Sequence, residues 1–439
     1  MAQHTSNPDV VIVGAGAAGV GAGLALTRLG IPFVILEAKD RVGGRAYSET
    51  HSLGHLWDHG CHWMHAAERN PLRRIADRIG HPYLARVEQW ARSYHVDGRK
   101  LTGDEQDAAW EAVQSAFEAC DAAGEAGRDI SQAEAAHLSG PYAPFIRFIF
   151  EAIGAGPADD ISALDAWRYD GGDTDFPVSG GYGALIERLA AGLPLRLGCP
   201  VQAITTLPGG VDVHTSDGTL RATAVILTIS NGVLASGRIA LSPALPPALV
   251  SALGDVPLGH CEKIAVEIAG EALAEHASTS ILALEGGRVV SLQLRPFGRP
   301  IVTSYLAGAL AQEMGRASDA DATAFLTDVL AGIFGTELRR QIRRGLVTRW
   351  SEDPHILGAY TYCRAGRASA RDALISADLA PIYLAGEAYS LPFYSTCHGA
   401  FVSGTEAAHK AAGRLGAQHV DPDPLWLPAA LTGAPPAAK

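Results

Sequence analysis

The sequence predicts an α/β fold, and three observations carry that prediction. The first is a β-branched run at 10–13 that passes through Gly14-Ala15-Gly16-Ala17-Ala18-Gly19 into a helical pattern reaching residue 29. The second is composition: 47% of residues are apolar, with abundant glycine and alanine, as close helix-on-sheet packing requires. The third is length, because 439 residues exceed what one ordinary core organises, so two consecutive or interleaved domains are expected.

Strand, glycine turn and helix form a unit with a chemical meaning. Gly14 permits the tight turn, Gly16 lets backbone N–H groups approach a pyrophosphate, and Gly19 lets the helix lie close on the sheet. A second apolar strand at 32–36 ends in Glu37, where a carboxylate accepts hydrogen bonds from an adenosine ribose. Arg41-Val42-Gly43-Gly44-Arg45 follows and resembles the R-x-G-G-R signature of a large group of FAD enzymes. Gly44 allows another close backbone approach, and Arg45 offers a guanidinium fork to phosphate oxygens. The bland alternative is a solvated basic loop.

A formal charge of −12 argues against nucleic acid as a partner and is compatible with cationic substrates. Six scattered cysteines without CxxC spacing point to reduced thiols in a cytoplasmic setting rather than a disulfide framework or cysteine zinc site. No apolar leader precedes the first strand and no apolar run reaches membrane-spanning length, so a soluble, unprocessed chain is expected.

Next comes a dense segment containing Asp58, His59, Gly60, Cys61, His62, Trp63 and His65, then Asn70-Pro71-Leu72, which opens a helix to residue 79. The histidines suggest a metal cluster, but no completing ligand set is found elsewhere, so no metal is assigned. Residues 88–175 read as helical and amphipathic, an insertion covering a substrate site. Gly180-Gly181-Tyr182-Gly183 caps a helix at 184–191, and a β-meander runs from Leu195 to Ile229 with an Asp217-Gly218 hairpin turn. An alternating stretch at 259–268 reads as a strand with Lys263 near its start, and residues 270–350 alternate strands with one helix at 319–334. Trp350 and the segment 358–362 lead to a strand ending at Gly386-Glu387, then to a terminal helix near 415 and a Pro- and Ala-rich tail expected to be flexible.

The R-x-G-G-R element, GGYGALIERLA, PLGHCEK, RW-x-x-DP-x-x-x-GAY and LAGE with HGA-x-x-SG occur in one order across nearly the whole chain. Together they resemble the flavin-containing amine oxidases, which include monoamine oxidases, polyamine oxidases and histone lysine demethylases. The resemblance implies a discontinuous Rossmann-like FAD-binding domain (1–87, 176–265 and 351–416) with an inserted α+β substrate domain (88–175 and 266–350) and a flexible tail at 417–439. It also implies that Glu37 binds the ribose, Arg45 the phosphates, Val201 the adenine and Glu387 the ribityl or pyrophosphate region, with Gly386 beside it. Asp58, Gly60, His62, Trp63 and His65 match the stretch beside the isoalloxazine, Trp350 belongs to the same site, and Lys263 would hold a water at flavin N5.

Two positions depart from monoamine oxidases. Ala359 stands where their flavin-bonding cysteine lies, so noncovalent FAD is expected, and Thr396 replaces the second cage aromatic, leaving Tyr360 as a single wall. The implied reaction is hydride transfer from a primary amine or polyamine-like substrate to flavin N5, with His65 relaying a proton; the imine hydrolyses to an aldehyde or ketone and O2 yields hydrogen peroxide. Three alternatives stay open. An L-amino-acid oxidase would need an arginine for the substrate carboxylate, and the expected place after Gly60 reads Cys-His-Trp-Met-His. A flavin dehydrogenase with another acceptor is not distinguished by sequence, and a non-catalytic FAD-binding module is disfavoured by Lys263, Trp350 and Tyr360. A homodimer is compatible with the sequence.

Overall fold

The computed structural model describes residues 8–85, 93–417 and 420–432. Strand β1 (Val10–Val13) lies at the centre of a five-stranded parallel sheet, between Ala224–Leu227 and β2 (Phe33–Leu36), with Ile382–Leu384 and Leu195–Arg196 at the edges. All four β1 residues are buried, because both sheet faces are covered. One face carries helix α1 (Ala17–Leu29) and the long helix Cys397–Arg414, joined through Ala18, Ala22, Ala407, Ala408 and Ala411. Small residues allow this close approach; a Cβ on Gly404 would strike the Ala18 carbonyl. On the opposite face, Val11, Val13, Val34 and Leu36 pack against a second sheet formed by 201–207, 210–215, 218–222 and 240–242.

A third sheet has seven strands, in the order Ile342–Val347, Cys261–Ile268, Ile301–Ala307, Arg288–Leu294, Thr279–Glu285, Tyr94–Val96 and Arg99–Lys100. Helix Asp319–Phe334 packs on one side through Leu326 and Leu330. The other side meets helices Gly103–Glu125 and Ala143–Gly154 through Phe145, Phe148 and Ala109. The overall architecture is therefore mixed α/β with several sheets.

The expected helix 319–334 is found at those residues, capped by Ser318, and the helix from Pro71 is capped by Asn70. Three expectations need correction. The 88–175 segment is not purely helical: Tyr94–Val96 pairs in parallel with 282–284 and turns back as Arg99–Lys100, a short edge hairpin too brief to show periodicity. Its first residues, 88–92, lie outside the described residues. A domain boundary after residue 265 would cut the strand Cys261–Ile268, which belongs entirely to the seven-stranded sheet. In the tail read as flexible, Leu427 is buried, with Leu425 and Leu431 packed on the same core cluster. Its few leucines outweigh its proline and alanine content, since they find an apolar surface beside the 71–79 helix.

Candidate active site

One cavity of about 990 Å³ is bounded by all three sheets' loops. The cofactor and catalytic residues expected from sequence line it, except Gly19; Asp58 stands behind the wall and reaches the site through its contacts with Lys263 and His62. Gly19 stands behind the cavity wall, where a Cβ would run into the Gly14 carbonyl, so its role is helix-to-turn packing. Gly14 itself has φ +107, which the turn into α1 requires. By contrast, a Cβ on Gly16 would find its nearest neighbour, the Gly43 carbonyl oxygen, at 3.9 Å, so the space above it is open to a ligand. Gly43 N–H donates to Ala15 O at 2.9 Å and sets Gly44 against this turn, closing a backbone cradle.

Glu37, at the end of β2, is buried and accepts from Ala15 N–H at 2.7 Å and Lys39 N–H at 2.9 Å. Its carboxylate is thus fixed at the edge of the same cradle. Arg45 Nη1 donates to Ala359 O at 2.6 Å and to Glu387 Oε1 at 3.0 Å. Glu387 is held in turn by Thr361 Oγ1 at 2.7 Å and Ser395 N–H at 3.2 Å. Gly386 precedes it at φ +145, its N–H donating to Ser403 Oγ at 2.9 Å. Val201 opens its strand at the cavity edge and is nearly buried.

Lys263 projects from the third residue of its strand and is 6% exposed. Its Nζ donates to Asp58 O at 2.9 Å and Gly60 O at 2.7 Å, and lies 5.2 Å from the Tyr305 ring centroid. Burial pulls the ammonium down to about 8, while Asp58 and Cys61 oppose the fall. Asp58 is itself buried; burial pushes its carboxyl up, but His62, Lys263 and Ser48 outweigh that and hold it below the usual range. It also accepts the Tyr182 N–H at 3.0 Å, at the start of helix Tyr182–Ala190. Gly60 is required for close packing, since a Cβ would strike the Arg45 carbonyl.

The three histidines read as a cluster face three different carboxylates. His59 Nε2 lies 3.1 Å from Glu49, His62 Nδ1 3.1 Å from Asp58, and His65 Nδ1 3.0 Å from Asp175. Burial lowers the His65 imidazolium, but Asp175 more than compensates, so its pKa is raised. Among the described residues, no three His, Cys, Asp or Glu side chains are grouped to hold a metal ion. Trp63 pairs with Pro177 across a short antiparallel bridge, and that pairing brings Asp175 to His65. Trp350 Nε1 donates to His59 O at 3.3 Å, and its backbone N–H to Glu262 at 3.1 Å.

Tyr360 reaches towards the helical layer: its hydroxyl donates to Ala152 O and lies 3.2 Å from Cys261 Sγ. Burial pushes this phenol well above its ordinary value. Thr396 is the N-cap of helix Cys397–Arg414, accepting from Gly399 N–H at 2.9 Å. Its hydroxyl is committed to that cap, but Tyr394, two residues earlier, presents an aromatic ring to the same cavity. Arg371 stacks on that ring with its Cζ 3.7 Å from the centroid, and forms a fully buried ion pair with Asp165 at 2.8 Å. Tyr169 lies 5.2 Å from Tyr394, ring centroid to ring centroid.

The profile of the flavin containing amine oxidoreductase family matches residues 17–412, nearly the whole chain. The chain belongs to that family. Similar proteins include polyamine oxidase 4 of Oryza sativa subsp. japonica, 28% identical and aligned over 96% of this chain and 92% of that protein. Polyamine oxidase 2 of Arabidopsis thaliana is 28% identical, over 94% of this chain and 90% of its own length. Lysine-specific histone demethylase 2 of Homo sapiens is 26% identical, covering 92% of this chain and 53% of that protein.

Membership in the amine oxidoreductase family implies FAD, and the residues present fit it. The fit rests on the open space above Gly16, the buried Glu37 carboxylate beside the cradle and a cavity at the upper end of the range, ~300–1,000 Å³, of small-molecule sites. The chain is thus an FAD-dependent amine oxidoreductase. Among the described residues, no helix is long and apolar enough to cross a membrane. Several lining residues escaped sequence reasoning: Asp175, Tyr169, Tyr305, Tyr394 and Cys397. The Cys261–Ile268 register could have suggested Tyr305, which pairs directly with Lys263. Nothing local marks the others.

Proposed function

We propose that this chain oxidises a primary amine or polyamine-like amine at FAD, with O2 as the electron acceptor. The observation that carries the reading is the continuity of one cavity from the Gly16 cradle to a chamber walled by Tyr360, Tyr305 and Tyr394. Two of the similar proteins bear the name polyamine oxidase, and the third is a demethylase acting on lysine, an amine.

In this reading the parallel sheet and its cradle form a discontinuous Rossmann-like FAD-binding domain, while the seven-stranded sheet and its helices form the substrate domain. Bound FAD supplies the hydride acceptor. The chain's own groups do the rest. Glu37 accepts from the ribose, and Gly16, Gly44 and Arg45 address the pyrophosphate. Val201 meets the adenine, and Glu387 serves the ribityl region through its Arg45 contact. Tyr360 and Tyr394 exclude water from the amine, which favours the neutral form that has a lone pair to release. His65, held by Asp175, accepts and relays a proton. Lys263, fixed by two carbonyls, holds a water on the flavin side of the chamber.

The test is a broad amine panel mixed anaerobically with the yellow protein. Bleaching by one class of amine, followed by peroxide release under air, is the expected result; a panel without bleaching would sink the oxidase reading in favour of a binding module. Bleaching without peroxide would point to a dehydrogenase. Acid precipitation should release all the flavin to the supernatant, because Ala359 offers no sulfur for a thioether.

A further inference from the structure

His62 lines the cavity but has no part in the chemistry above. Its setting differs from those of the other two histidines on the same loop. His59 turns Nε2 to Glu49 at 3.1 Å, with its ring 4.6 Å from that of Tyr47 and 4.0 Å from that of Trp57, so it is clamped in place. His65 is already engaged with Asp175. His62 is anchored through Nδ1 to Asp58 Oδ2 at 3.1 Å, and its carbonyl accepts the Val178 N–H at 3.0 Å. Its Nε2 bonds none of the described residues and, unlike the Nε2 of His398, is not sealed in the core.

The donors around Asp58 fix which His62 nitrogen carries the hydrogen. Ala184 N–H donates to Ser48 Oγ at 3.2 Å, so the Ser48 hydroxyl hydrogen goes to Asp58 Oδ1, which also takes the Tyr182 N–H at 3.0 Å. These contacts sit at the start of helix Tyr182–Ala190, where the helix dipole favours a negative charge. Asp58 is therefore a carboxylate with acceptor sites only, and His62 Nδ1 must be the donor. Neutral His62 is held as the Nδ1–H tautomer, with the Nε2 lone pair across the ring from Asp58 and open to a proton. Asp58 also supplies, through its backbone carbonyl, one of the two bonds that hold Lys263 Nζ. One residue thus ties His62 to the Lys263 side of the chamber.

We propose that His62, oriented by Asp58, is the proton donor for oxygen reduction on the Lys263 side of the cavity. This role rests on the oxidase reading; the tautomer does not. An ammonium substrate loses one proton before its hydride can leave, and that hydride, one O2 and one proton together make one hydrogen peroxide. The proton released in one half of the cycle is therefore the proton required in the other. Taken up at Nε2, it makes an imidazolium that the Asp58 carboxylate stabilises. In the oxygen half, the hydride supplies the electron pair and the first O–H hydrogen. The Nε2–H bond breaks as the second O–H bond forms, its electron pair stays on nitrogen, and the Nδ1–H tautomer returns.

The experiments use the flavin-loaded protein without any amine, so their outcome is separate from that of the amine panel. Nitrogen NMR, at a pH where the ring is neutral, should find the His62 hydrogen on Nδ1 in wild type. In Asp58→Asn it should move to Nε2, because the asparagine amide can donate to Nδ1 while its oxygen keeps the Tyr182 N–H. Flavin reduced with dithionite and mixed with air-saturated buffer should reoxidise ~10²-fold more slowly in His62→Gln than in wild type. Added imidazole should restore part of the rate in His62→Ala, which a packing defect would not allow. Retained flavin absorbance in each variant reports that the cavity is intact. A wild-type His62 with its hydrogen on Nε2, or His62→Gln traces that superimpose on wild type, overturns the proposal and leaves the amine reading standing. So does a slow His62→Ala rate that imidazole leaves unchanged. Reduced wild type that air fails to reoxidise removes oxygen as the acceptor, and this role of His62 with it.

Discussion

The two ends of the cavity are built on different principles. The cofactor end is made of backbone: Gly16 leaves room, Gly14 and Gly44 supply the positive φ and close packing of the turns, and Glu37 fixes a carboxylate beside them. The chamber end is made of side chains, with Lys263, Tyr305, Tyr360 and Tyr394 brought in from separate strands and loops. Backbone recognition needs a local sequence, because consecutive N–H groups must point one way. An aromatic chamber needs only surfaces, which any element can supply.

The comparison breaks most sharply at two glycines three residues apart. In Gly19→Ala the new Cβ meets the Gly14 carbonyl, backbone that has no room to yield, so the apoprotein should lose about 1–3 kcal/mol or more and its flavin with it. Gly16→Ala should cost the apoprotein under about 1 kcal/mol, since its neighbours stand at ordinary contact distance and only the helix N-cap preference changes. Its FAD affinity should nonetheless fall about tenfold or more, ~1.4 kcal/mol, because the methyl takes the ligand's space. Thermal unfolding of the apoprotein and flavin titration separate the two. Equal stability loss in both variants would show that the cradle is structural at both positions.

That difference also explains what was legible in the sequence. Gly14 to Gly19, Glu37 and Arg45 lie within one short stretch, and their spacing follows from strand, turn and helix geometry. Lys263 was readable because a lysine inside an alternating strand is costly without a purpose. Tyr394 was not, because its position in the chamber depends on Arg371 and Asp165, which meet only after two distant segments fold together. His65 was read without its partner for the same reason: Asp175 arrives through the Trp63 to Pro177 pairing. Glu262, which fixes the Trp350 loop, lay hidden beside the more conspicuous Lys263.

Lys263, at the chamber end, sharpens the comparison at an intermediate scale. Lys263→Met should retain FAD while slowing reoxidation of the flavin, amine-driven reduction, or both by ~10²-fold, as for loss of a preorganised polar group at a reaction centre. Its charge has a separate signature. The folded value is about 8 and the unfolded value 10.5, so between them the unfolded chain binds more protons and stability rises with pH. Wild type should therefore gain on Lys263→Met as pH increases through that window, by at most ~3 kcal/mol. Stopped-flow traces that superimpose on wild type, together with a flat stability difference, would return Lys263 to a purely structural role.

The smallest expected effect concerns Tyr360, where the ring and the hydroxyl serve different ends. The hydroxyl is bonded to Ala152 O on the helical layer and to Cys261 at the start of its strand. Burial keeps it protonated throughout the working pH range, so phenylalanine reproduces its charge state. Tyr360→Phe should lower stability by about 1 kcal/mol through the lost hydrogen bond and leave the KM for amine near wild type. Tyr360→Leu also removes the aromatic face, and amine binding should weaken by a further ~0.5–2 kcal/mol if the ring meets the ammonium or its neutral successor. A KM that rises equally in both variants would mean that the hydroxyl, not the ring, shapes the chamber. It would also mean that this wall is positioned by its bond to Ala152 rather than by packing, so the chamber end would depend on hydrogen bonding more than the comparison with the glycine cradle implies.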